Sequence, residues 1–206
     1  MCAPKRRCGE RRLKVLCLDL EGVLVPEIWH GIARATGVET LNKTTRDIPV
    51  YEDLMRLRLA AIERHAVTMG TIRRTIAGLD PLPGACEFLA WAHRHFQVAI
   101  LSDTFYEFAM PLMAKLGFPL LLCHRLVVED DRIVGYRLRQ EQAKAAAVRA
   151  FQALEYEVVA VGDSYNDIDM LLAADRACFF RAPDRVADAH RDIPRFETYD
   201  ELRGAL

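Results

Sequence analysis

The chain has 206 residues, 51% hydrophobic and 28% charged, with a formal net charge of −1. That suffices for one solid core with a small second lobe, and no long basic run favours nucleic acid or an anionic membrane surface, so a small metabolite is the expected partner. No stretch approaches the ~18 apolar residues of a membrane span, and the basic segment 1–12 lacks the apolar run of a signal peptide, so it reads as a disordered tail on a cytoplasmic protein. Six cysteines without a CxxC pair read as small core residues in a reducing compartment, not as a disulfide framework.

The first element is the run Leu13-Lys14-Val15-Leu16-Cys17-Leu18, which ends abruptly in Asp19-Leu20-Glu21-Gly22-Val23. A continuous apolar run bounded by charge is how a strand buried on both faces of a parallel sheet looks. A polar, helix-prone block follows from about Glu27 to Leu79, with Leu54, Leu57, Ala61 and Ile62 on one side of a predicted helix. Pro81-Leu82-Pro83-Gly84 closes this insertion before a helix over Ala85–His95. The division is therefore a helical cap at 25–81 and a core made of 13–24 and 82–206.

Gln97–Leu101 is a second buried strand ending in Ser102-Asp103-Thr104. A helix from about Tyr106 to Leu116 stops at Gly117, a short strand covers Leu120–Cys123, and Leu126–Val128 with Ile133–Tyr136 reads as a small hairpin on the rim. A helix over Gln142–Leu154 carries Lys144 in its first turn, and the strand Glu157–Val161 ends in Gly162-Asp163-Ser164-Tyr165-Asn166-Asp167. A helix near Asp169–Ala174, a strand at Ala177–Phe180 and a terminal helix from Tyr199 complete the alternation, which predicts an α/β fold with a doubly wound parallel, Rossmann-like sheet.

Three strands thus end in polar clusters, and in a parallel sheet their carboxyl ends face one crevice. Asp19, Glu21 and Asp163 would form an anionic, all-oxygen pocket that needs a cation, and Mg²⁺ fits such donors best. With positive charge supplied, Asp19 can attack phosphorus, Lys144 and the Ser102 hydroxyl can meet the phosphate oxygens, and Glu21 can give and take the proton. The bland readings are a solvated acidic turn and, for Lys144, a surface lysine; its place between the second and third clusters argues against the latter. The six scattered histidines receive no catalytic role.

Asp19-Leu20-Glu21-Gly22-Val23, Leu101-Ser102-Asp103, Lys144 and Gly162–Asp167 resemble, in order and spacing, the four motifs of the haloacid dehalogenase superfamily of aspartate-nucleophile phosphatases. Within it, Asp19–Glu27, Thr44-Thr45-Arg46-Asp47-Ile48-Pro49 and Leu101–Phe108 are similar to the ThrH family of phosphoserine phosphatases, which also pass the phosphoryl group to homoserine. Glu at position 21, where the superfamily usually carries Asp or Thr, is itself a mark of that group. The resemblance implies Asp19 as nucleophile and Glu21 as general acid/base, with Mg²⁺ held by Asp19, position 21 and Asp163, and Asp167 in or near the next layer. It also implies a phosphate cradle of Ser102, Asp103 backbone groups and Lys144, substrate contact by Asn166, and Glu27 and Arg58 reading the ammonium and carboxylate of O-phosphoserine. The cap is expected to gate access by moving over the crevice. On its residues alone Arg58, between Arg56 and Arg64, would read as part of a solvated face, and Glu27 as an acid at a helix start. A phosphatase of another small phosphomonoester and a non-catalytic metabolite sensor are the alternatives, and the oligomeric state stays open, a homodimer included.

Overall fold

The computed structural model describes residues 12–44, 47–48 and 50–206, so nearly all of the expected basic tail and positions 45, 46 and 49 lie outside the described residues. Alternating side chains of the central strands feed two separate apolar cores, which is why these strands are apolar throughout. In β1 (Lys14–Leu18), Val15 and Cys17 point into one core while Leu16 and Leu18 point into the other. β2 (Gln97–Phe105) and β5 (Glu157–Gly162) split in the same way and flank β1 in parallel. With β3 (Leu120–Glu129), β4 (Arg132–Arg137), β6 (Arg176–Phe180) and β7 (Arg195–Phe196), the sheet order is β4-β3-β2-β1-β5-β6-β7.

Three helices follow β1: α1 (Ile28–Thr36), α2 (Tyr51–Arg64) and α3 (Met69–Ala77). Their apolar stripes join the larger core together with α4 (Ala85–His95) and α5 (Tyr106–Lys115). The opposite core is closed by α6 (Ala143–Ala153), α7 (Ile168–Ala173) and α8 (Asp184–Ala187), while α9 (Tyr199–Ala205) packs on α4.

Two expectations change. The short strand at 120–123 and the rim hairpin are one continuous element: β3 runs ten residues and turns back antiparallel into β4, so the sheet is mostly, not wholly, parallel. His124 and Arg125 interrupted the apolar run in sequence, but His124 turns inward and Arg125 stacks 4.0 Å over Tyr106, so the strand continues through them. On α2 the buried residues are Leu54, Met55, Arg58, Ala61 and Ile62, whereas Leu57 is only half-buried. Among the described residues Cys17, Cys86, Cys123 and Cys178 are free thiols, and no helix is long and apolar enough to cross a membrane.

Candidate active site

Because β2, β1 and β5 are parallel neighbours, Asp19 and Asp163, each just past the end of its strand, emerge beside Ser102, which lies where the β2–β3 pairing is interrupted. Two glycines permit the close approach of the loops. Gly22 has φ +79°, and a Cβ there would lie 2.4 Å from the Asp163 carboxylate; a Cβ on Gly162 would lie 2.4 Å from the Asp167 Cβ and 2.5 Å from its carboxylate carbon.

Lys144, buried in the first turn of α6, donates to Asp19 Oδ1 at 2.9 Å and to Asp167 Oδ1 at 2.7 Å, and lies 3.7 Å from Asp103 Oδ2. Asp167 is wholly buried; its other oxygen accepts from the backbone N–H of Asp163 and Ser164 at 2.9 and 3.1 Å, fixing the loop after β5. Burial together with Asp167 pushes the Asp19 carboxyl well above its ordinary range, Lys144 opposes them, and Asp163 adds to the push. Burial would strip Lys144 of its proton, yet Asp167, Asp19 and Asp103 hold it firmly protonated. Three carboxylates around one ammonium, with Asp163 beside two of them, leave the site short of positive charge. One oxygen each from Asp19, Asp163 and Asp167 lie within 4.8 Å of one another, a donor set that fits a hard divalent cation.

Glu21 is placed differently from that trio. Its Oε1 accepts from the Ile28 N–H at 2.7 Å, at the first turn of α1. The acids whose oxygens cluster are thus Asp19, Asp163 and Asp167, while the Glu21 carboxyl lines the same cleft with one oxygen turned to the start of α1. Burial, then the nearby Glu27, raise the Glu21 carboxyl to about 7, against the Ile28 hydrogen bond and the Arg58 charge.

A cleft of about 170 Å³ opens here, with walls that include Asp19, Glu21, Glu27, Arg58, Ser102 and Asn166. Arg58 is buried, donates from Nη2 to Lys43 O at 2.7 Å and stacks 4.3 Å over Trp29, while its Nε has no partner among the described residues. Burial lowers its pKa to about 10, with Glu21 next among the groups opposing the loss of charge. Ser102 Oγ accepts from Thr104 N–H at 3.3 Å and so keeps its own hydrogen to donate. The Asp103 carboxylate, and not only its backbone, takes part: it accepts from Asn166 Nδ2 at 3.0 Å, while its backbone oxygen accepts from Tyr51 OH at 3.2 Å.

A wider cavity of about 550 Å³ shares the walls formed by Tyr51, Asp103, Tyr165 and Asn166, and is also lined by Lys144 and His124. His124 received no role from sequence, where its only signal was a lone polar residue inside an apolar strand. Thr104 was also passed over; its hydroxyl is buried beside the cleft without a hydrogen-bond partner among the described residues.

Residues 25–172 match the haloacid dehalogenase-like hydrolase family. The chain is 52% identical over 196 residues to a phosphoserine phosphatase of Pseudomonas syringae pv. tomato, covering 95% of this chain and 83% of the relative. It is 52% identical over 192 residues to the phosphoserine phosphatase ThrH of Pseudomonas aeruginosa, covering 93% and 94%. Among solved structures, a phospho-aspartyl intermediate analogue of phosphoserine phosphatase superposes with TM-score 0.80 at 22% identity, over 95% of this chain and all of that one. A substrate-bound phosphoserine phosphatase complex gives 0.77 at 24%, over 94% and 97%; these two likenesses concern the fold. By a sheet whose central strands end in these acids, and by a family match and relatives that span most of its length, the chain belongs to the haloacid dehalogenase-like hydrolases.

Proposed function

We propose that the protein is a phosphoserine phosphatase working through a phospho-Asp19 intermediate, and that it also transfers the phosphoryl group to homoserine. One observation carries the reading above the others. The cleft sets Asp19, backed by Lys144, and Ser102 against Glu27 and Arg58, a nucleophile and phosphate donors facing a carboxylate and a guanidinium. O-Phosphoserine carries the matching phosphate, ammonium and carboxylate. The names of the two 52% identical relatives point the same way.

In the first step an Asp19 oxygen attacks phosphorus, the bond to the serine oxygen breaks, and that oxygen takes the Glu21 proton. In the second, water or the homoserine hydroxyl gives its proton to Glu21 and attacks phosphorus, releasing Asp19. A carboxyl near 7 suits both directions at neutral pH. Lys144, the Ser102 hydroxyl and Asn166 hold the phosphate oxygens, where charge grows in the transition state. Asp19, Asp163 and Asp167 would hold Mg²⁺, which would supply the positive charge that the acids and the phosphate lack. With its carboxylate engaged by Ile28, Glu21 can offer such an ion its backbone oxygen. Segment 25–81 acts as the cap, placing Glu27 and Arg58 over the crevice and shielding the phosphoenzyme from bulk water until the acceptor is placed. The free thiols suit a reducing, cytoplasmic compartment.

The test is to incubate the purified protein with phosphoserine and Mg²⁺, with and without homoserine, following both free phosphate and phosphohomoserine. Phosphate release that vanishes in Asp19→Asn is expected; no release above background, or full activity in that variant, would overturn the reading.

A further inference from the structure

Asp103 is a costly residue where it stands. The crevice already holds Asp19, Asp163 and Asp167 close together, two of them paired with Lys144, and a fourth carboxylate adds repulsion unless other donors face it. β2 makes room for it: Leu101 pairs with Leu122 and Phe105 with His124, so four steps along β2 oppose two along β3, and Ser102, Asp103 and Thr104 form the bulge between. Three donors then surround the carboxylate: Asn166 Nδ2 at 3.0 Å, Lys144 Nζ at 3.7 Å and His124 Nε2 at 3.6 Å. Burial alone would raise Asp103, but Lys144, His124 and Asn166 together hold it well below the ordinary carboxylate range.

The His124 ring is oriented by a second contact. The backbone N–H of Arg139 donates to Nδ1 at 3.0 Å, so Nδ1 carries the lone pair and the ring hydrogen sits on Nε2, facing Asp103 Oδ1. At 3.6 Å this is an attraction short of a full hydrogen bond, of the kind that tightens when a site is loaded. The next link is equally determined. Asn166 donates from Nδ2 to Asp103 and accepts at Oδ1 from the Ser164 hydroxyl at 2.5 Å, so its amide has one orientation, with the second Nδ2 hydrogen left for a ligand.

We infer that His124 is a positioning residue for the phosphate cradle: through its Nε2–H it holds the Asp103 carboxylate, which in turn orients Asn166 and steadies Lys144 against the phosphate. His124 lies one strand away from the cleft and acts only through Asp103. The inference rests on the phosphoryl-transfer reading of the cleft, not on the identity of the alcohol that carries the phosphate.

The competing role for His124 is structural, holding the segment before α6 through Arg139. Two substitutions separate the roles. His124→Gln places an amide N–H near the old Nε2 position and keeps the donor to Asp103, whereas His124→Asn keeps an acceptor for Arg139 N–H but cannot reach Asp103. Steady-state kinetics on phosphoserine and on para-nitrophenyl phosphate with Mg²⁺, together with melting curves, should show His124→Gln within about 3-fold of the parent and His124→Asn lowered about 10-fold or more, mainly in kcat, on both esters. In an Asp103→Ala background the same His124→Asn change should alter the rate by less than about 2-fold, because the link it acts through is gone. An Asn variant as active as the parent, a Gln variant impaired as much as Asn, or losses that multiply in the double variant would overturn the inference. A parent that turns over the aryl phosphate but not phosphoserine would refute the substrate assignment alone, with the His124 comparison still decided on the aryl ester.

Discussion

Replacing Arg58 with Met or Lys separates recognition of an amino-acid phosphate from the phosphoryl chemistry. The guanidinium sits at the cleft wall between Trp29 and the Lys43 carbonyl, with one Nη committed to that carbonyl and Nε buried without a partner among the described residues, and on the proposed reading its remaining donors meet a ligand carboxylate. Two charge-assisted hydrogen bonds to that carboxylate, at roughly 1.5–3 kcal/mol each, make about 3–6 kcal/mol, or a factor of about 10²–10⁴ in kcat/KM. Met keeps an unbranched stem against Trp29, and losing the stacking and the Lys43 bond, each about 1 kcal/mol, is partly offset by removing a buried unpaired N–H, so stability should fall by only about 1 kcal/mol. The assay is kcat/KM for phosphoserine beside para-nitrophenyl phosphate, which has no carboxylate, in parent, Arg58→Met and Arg58→Lys, with thermal midpoints recorded. Phosphoserine turnover should collapse by about 10²-fold or more in Met while the aryl ester changes by less than about 10-fold; Lys, which keeps the charge but not the fork, should fall between them. Equal losses on the two esters in a folded variant would refute the carboxylate assignment.

Glu21 titrates higher in the folded chain than its ordinary 4.5, near 7, so folding favours its neutral form; the stability it contributes is complete below about pH 4.5 and is lost as pH rises through about 7. The full shift corresponds to about 3 kcal/mol, and with the residue partly open to the cleft about 2 kcal/mol is expected, so in metal-free buffer Glu21→Gln should gain about 2 kcal/mol over the parent between pH 5 and pH 8 while losing turnover; parallel urea curves at both pH values would contradict this. Lys144→Met leaves Asp19, Asp103 and Asp167 without their shared cation and should cost about 3–5 kcal/mol in metal-free buffer and abolish turnover, and Mg²⁺ should restore about 2–3 kcal/mol at roughly 100 times its Kd; a melting curve unmoved by Mg²⁺ would count against the acidic site as its ligand. Thr104→Val removes an unpaired buried hydroxyl at nearly constant volume: a role confined to the fold predicts a gain of about 1 kcal/mol, and the expected additional drop in kcat/KM would mark the hydroxyl as a ligand contact.

The sheet was readable because its central strands are buried on both faces and therefore apolar without interruption, as Val15 to Leu18 and Val158 to Val161 are. Where burial is partial the signal fades. β7 is two residues long, too short for any period, and β3 carries a histidine and an arginine in mid-run, although both fit the strand once their partners on β2 and α5 are known. The same reasoning applies to Arg58. In sequence it stands among arginines, yet it occupies the middle of the stripe 54, 55, 58, 61, 62, and an arginine at a core position of an amphipathic helix is a buried cation awaiting a partner. Spacing carried that information, and the neighbouring charges obscured it.

The site divides along a similar line. Asp19, Ser102 and Asp163 could be placed from sequence because parallel strands carry their polar residues to one crevice by topology alone, and Lys144 by its place between the polar clusters, whereas Asp103 with His124 depends on a bulge in β2, and the direction taken by Glu21 depends on side-chain reach. A shorter Asp at position 21 would fall one methylene short of the Ile28 N–H, so Glu does something there that Asp could not: it joins the carboxyl proposed to transfer the proton to the first turn of the helix that carries Trp29. Trp29 in turn supports Arg58. Through that chain of contacts Glu21, the proposed proton carrier, and Arg58, the proposed reader of the ligand carboxylate, are set by one helix, so on the proposed mechanism a displacement of α1 would disturb proton transfer and ligand recognition together.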